Sequence, residues 1–77
     1  MLSEKEIKER IKCLEISMKS SEALMDNRVE VLKRCFKQND WNSMIIYCRL
    51  LHDVLVDMKG EAVLLRMYHN ILENDFV

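Results

Sequence analysis

Across 77 residues the chain has no proline and a single glycine, Gly60, and this absence constrains the fold more than any other feature. Sheets and loop-rich folds place both residue types at their turns, so a chain nearly without them has few turns and long continuous elements. The one concentration of turn formers, Lys37-Gln38-Asn39-Asp40-Trp41-Asn42, lies at the midpoint. Ala, Leu, Met, Lys and Glu, all good helix formers, are well represented. The expectation is an all-α fold in one domain, residues 1–77. It has a helix over about 3–37, a turn at about 38–41 and a helix over about 41–74, folded as an antiparallel hairpin of two helices each roughly 50 Å long.

The first helix has a clear start. Ser3-Glu4-Lys5-Glu6 reads as a capping box, in which the Ser3 hydroxyl accepts from the N–H of Glu6 and the Glu6 carboxylate reaches back. Apolar residues then recur at Ile7, Ile11, Leu14, Met18, Met25, Val29, Leu32 and Phe36, close to the helical period, with a doubled gap at Ser21-Glu22. Glu4–Lys8, Glu6–Arg10, Glu15–Lys19 and Glu30–Arg34 place acid before base at i,i+4 and mark a solvated face. The stretch from Ser20-Ser21 to Asp26-Asn27 competes for backbone hydrogen bonds. The apolar phase nevertheless carries through, so one helix is expected.

In the second helix Met44, Cys48, Leu51, Leu55, Met58, Ala62, Leu65, His69 and Leu72 alternate steps of four and three, the heptad spacing of a coiled-coil seam. Gly60 lies inside this phase, which favours a close helix approach or slight bend over a stop. Beside the seam runs a second stripe, Tyr47, Leu50, Val54, Leu64, Tyr68 and Ile71. A helix apolar over so wide an arc expects cover on more than one side. That stripe, with Trp41 at the turn, is the expected interface. Two hairpins associating into a two-fold four-helix bundle would cover it.

Twelve basic and thirteen acidic side chains leave no global attraction for nucleic acid or an anionic membrane surface. No apolar run approaches the roughly 20 residues of a membrane span, and no apolar leader follows Met1, so a soluble cytoplasmic protein is expected. Cys13, Cys35 and Cys48 are odd in number and lack metal or redox spacing, and read as buried thiols in a reducing compartment.

Several constellations of residues bear on chemistry. Cys48 and His52, one turn apart, would give a tetrahedral Cys2His2 set in a dimer, but no second pair accompanies them, and core cysteine with rim histidine is the plainer reading. His69 falls on the seam near Arg10 and Cys13, if residues whose numbers add to about 79 face each other in an antiparallel hairpin. Asp53, Asp57 and Glu61 form an acidic row, and the same pairing brings Lys19 to Glu61 and Arg28 to Asp53, fixing register. Lys33, Arg34 and Lys37 cluster beside Phe36 and Trp41, where cations suit a helix C-terminus. Trp41 reads as a cap on the end of the bundle.

In plan the chain resembles plasmid copy-control hairpin dimers and the small helical-hairpin chaperones of type III secretion, a likeness of architecture that carries no function. No catalytic, cofactor-binding or metal residues are expected. The expected function is a non-enzymatic protein–protein interaction module (regulator, inhibitor or adaptor), a homodimer acting through an apolar helix face. The alternatives are a nucleic-acid-binding hairpin regulator using Lys8, Lys12, Lys19 and Lys33, and a secretion-type chaperone.

Overall fold

The structure, a computed structural model, describes residues 2–76. Two helices, α1 (Glu4–Lys37) and α2 (Trp41–Asp75), pack against each other as a hairpin. The rod measures 55 × 15 × 14 Å. Neither helix is long and apolar enough, among the described residues, to cross a membrane.

α1 begins as its sequence dictates. The Ser3 hydroxyl accepts from the Glu6 N–H at 3.2 Å and donates to the Glu6 carboxylate at 3.1 Å. The carboxylate thus meets the hydroxyl of Ser3 rather than its backbone N–H. α1 runs unbroken through Ser20–Asn27.

Three residues make the turn. Asn39 takes a left-handed conformation, φ 54°, which asparagine tolerates at the end of a helix. The Asp40 N–H then donates to the Cys35 carbonyl at 2.9 Å and the Asn39 N–H to the Phe36 carbonyl at 3.2 Å, the paired bonds of a Schellman motif. Asp40 goes on to cap α2, accepting from the Ser43 N–H at 3.2 Å. One short segment therefore ends α1, reverses the chain and sets the rotational position at which α2 starts.

The α1 seam runs through Ile7, Ile11, Leu14, Met18, Ser21, Met25, Arg28, Leu32 and Cys35, all buried or half-buried. Its steps alternate between four and three without a gap, because Ser21 fills the place expected to be empty. Arg28 and Cys35 take seam positions expected for Val29 and Phe36; Val29 is half-buried, and Phe36 is 66% exposed.

The α2 seam differs more from expectation. It consists of Met44, Tyr47, Leu51, Val54, Met58, Glu61, Leu65, Tyr68 and Leu72. Five of these belong to the expected seam, but Cys48, Leu55, Ala62 and His69 are exposed, and the residues one position earlier take their places. Tyr47, Val54 and Tyr68 of the second expected stripe thus join the seam. Either Tyr47, Val54, Glu61 and Tyr68 or Cys48, Leu55, Ala62 and His69 alternate three and four with the shared row Met44, Leu51, Met58, Leu65 and Leu72, so periodicity alone does not choose between them.

Gly60 lies inside α2, and a Cβ placed there would meet nothing within 4 Å, so it serves neither close approach nor a stop. The cysteine expectation holds only for Cys35; Cys13 and Cys48 are exposed thiols.

Candidate interaction surface

The core is small. Ile7, Ile11 and Tyr68 form its main cluster, with Leu2, Leu14, Leu65, Ile71 and Leu72 packed around it, and Ile7 is almost wholly enclosed. Cys35 is buried near the turn, and Val54 is buried further along α2.

Among the described residues, three polar side-chain contacts link the helices. Arg10 donates to the Tyr68 hydroxyl at 3.0 Å, Ser21 donates to a Glu61 carboxylate oxygen at 3.1 Å, and Arg28 donates to the Leu50 carbonyl. The hydrogen bond to Tyr68, followed by electrostatic attraction to the same group, raises the Arg10 pKa. These contacts replace the expected ion pairs: neither Lys19–Glu61 nor Arg28–Asp53 forms a salt bridge among the described residues. Glu61 belongs to the seam, and its second carboxylate oxygen is enclosed with no hydrogen-bond partner.

Of the seven expected interface residues, Val54 and Tyr68 are buried against α1, and Tyr47, Leu50 and Ile71 are half-buried at the same junction. The hairpin itself consumes them. Leu64, 41% exposed, and Trp41, 61% exposed, remain outside. His69 and Cys48 are solvated, so neither is a seam residue, and no group of three His, Cys, Asp or Glu among the described residues could hold a metal ion.

What stays exposed is unevenly shared. Among the large apolar side chains in solvent, Ile16, Leu24 and Phe36 lie on α1, while Trp41, Ile45, Ile46, Leu55, Val56, Val63, Leu64 and Met67 lie on α2. α1 is amphipathic, whereas the exposed apolar side chains of α2 are spread over several of its faces.

The two long sides of the hairpin differ in chemistry. Arg10, Cys13, Ser17, Leu64 and Tyr68 line a groove on one side, which continues past Ser21, Asp57 and Gly60. Helical register brings Met18, Met25, Met44 and Met58, all half-buried, to the other, where Leu32, Phe36 and Met44 line a shallow groove. The exposed row Trp41, Cys48, Leu55, Ala62, His69 and Phe76 runs along α2 on this methionine-lined side, one residue in every seven. Cys48, Leu55, Ala62 and His69 of this row are expected from the heptad spacing to face α1, and the hairpin leaves them in solvent. No protein-family model, curated protein or solved structure matches the chain.

Proposed function

We propose that this protein is a non-enzymatic interaction module, a small regulator, inhibitor or adaptor, that works through the apolar surface of α2, and that two hairpins associate into a four-helix bundle. The observation that carries this reading is the eight large apolar side chains that α2 leaves in solvent against three on α1. Single exposed apolar residues are ordinary, whereas eight large ones on one helix form an apolar surface of the kind that contacts another protein. The half-buried methionines suit such a surface, since their unbranched side chains adapt to whatever packs on them. Light scattering coupled to size exclusion, under reducing conditions, tests the association. A mass twice that of the chain supports it, and the mass of one chain counts against it.

A second reading has one specific observation in its favour. Lys5, Lys12, Lys19 and Lys33 fall on one exposed row of α1, interrupted only by Asp26, and such a row could track a phosphate backbone. Binding to duplex DNA or RNA that weakens steeply with salt would favour it.

A further inference from the structure

The face and the arrangement of the associating hairpins can be read from charge. On the methionine-lined side one row of α1 is Lys8, Glu15, Glu22, Val29 and Phe36, and one row of α2 is Ile45, His52, Lys59, Arg66 and Glu73. All are exposed except half-buried Val29. The ion pairs among the described residues are Lys8–Glu4, Lys33–Glu30 and His52–Asp53, so Glu15, Glu22, Lys59 and Arg66 form no salt bridge within their own hairpin.

Two hairpins can join by this side, all neighbouring helices antiparallel, in two ways. Either both turns lie at one end and each α2 packs on the other copy's α1, or the turns lie at opposite ends and α2 packs on α2. In the first case the two-fold axis runs along the bundle and allows no sliding. The levels across the new interface are then those inside each hairpin, marked by Arg10 with Tyr68, Ser21 with Glu61 and Arg28 with Leu50. On those levels Glu22 meets Lys59 of the second copy, Glu15 meets Arg66, Lys8 meets Glu73, and Phe36 meets Ile45. In the second case, with the ends aligned, Lys59 approaches Lys59 and Glu22 approaches Glu22. Only the first arrangement sets opposite charges together, and it does so with no register left to choose.

Surface area points the same way. The hairpin exposes 6055 Å². A compact monomer of 9.2 kDa would expose about 4,900 Å². The excess of about 1,100 Å² exceeds the roughly 800 Å² per partner that a standard interface buries.

We infer that the occupant of the methionine-lined face is a second copy of this chain, with both turns at the same end and each α2 packed on the other copy's α1. This rests on the interaction reading above and specifies its partner and geometry.

The test uses two charge-reversed full-length chains, Lys59→Glu/Arg66→Glu and Glu15→Lys/Glu22→Lys. Each alone opposes like charges at both interfaces, and its dimer dissociation constant should rise roughly tenfold or more. Mixed, they should form a heterodimer of native affinity, which also shows that both variants fold. Spin labels on Gln38→Cys, in a Cys13→Ser/Cys48→Ser background, report the arrangement. Labels at one end lie within about 30 Å, given helix spacings of about 8–10 Å, whereas opposite ends separate them by nearly the 55 Å length of the hairpin. A wild-type dimer with the long distance, or with charge variants as tight as wild type, overturns this arrangement and leaves self-association standing. A wild-type chain of monomeric mass overturns both.

Discussion

The guanidinium of Arg10 donates a hydrogen bond to the phenolic oxygen of Tyr68 over 3.0 Å, while its central carbon lies 6.0 Å from the centre of the same ring. The contact spans the hairpin near its open end, where Tyr68 completes the cluster with Ile7 and Ile11. The ring fills the core and the hydroxyl ties it to α1.

Those two roles separate by substitution. Tyr68→Ala should cost about 3 kcal/mol or more, as truncation of a buried aromatic usually does. Tyr68→Phe keeps the ring and should cost far less. Urea unfolding followed by helicity measures both. The Arg10 pKa is raised, so its contribution is fully present below the ordinary guanidinium pKa and is lost only as pH rises through the raised value in strong alkali. Neither acid nor neutral solution should alter the effect of Arg10→Ala.

Val54 and Leu55 are neighbours with opposite fates. Val54 is buried against α1 and Leu55 is 47% exposed on the methionine-lined side. Val54→Asp places an unpaired carboxylate in the small core and should abolish helicity and assembly together. Leu55→Asp should keep the circular dichroism of the native hairpin and lose only the dimer. Leu64→Asp, on the other side, should lose neither. A Leu55→Asp chain that remains dimeric would clear the methionine-lined side of any role in assembly.

Glu61 interrupts an otherwise apolar region of the α2 seam, satisfied by Ser21 at one oxygen and by nothing at the other. Glu61→Leu should stabilise the hairpin by about 1–2 kcal/mol, because an enclosed acceptor without a partner carries its desolvation cost. The gain should appear as a higher urea midpoint with an unchanged slope. A loss of stability would mean that the Ser21 contact outweighs that cost.

Gly60→Ala should stabilise the chain by about 0.8–1.0 kcal/mol, the helix-propensity difference, because the added methyl meets nothing within 4 Å. Thermal unfolding of the two chains decides it. If the variant instead weakens the dimer while stabilising each hairpin, Gly60 lies at a helix crossing in the assembly.

Much of the hairpin is legible in the residues alone. With no proline, one glycine and one central cluster of turn formers, two long helices are the available solution, and Ser3, Asp40 and the apolar periodicity place their ends and faces. The excess of apolar surface on α2 is legible for the same reason, since it follows from how many apolar residues a helix carries around its circumference. The rotational setting is not. Val54 and Leu55 belong to rows of equal spacing and comparable hydrophobicity, and each pairs equally well with the shared row of Met44, Leu51, Met58, Leu65 and Leu72. The choice depends on the direction in which α2 leaves the turn, and the Asp40 to Cys35 bond and the left-handed Asn39 fix that direction only once both helix ends are in place. A one-residue rotation then buries Tyr68 and leaves His69 in water, because helix packing selects one seam by three-dimensional fit among several that periodicity permits.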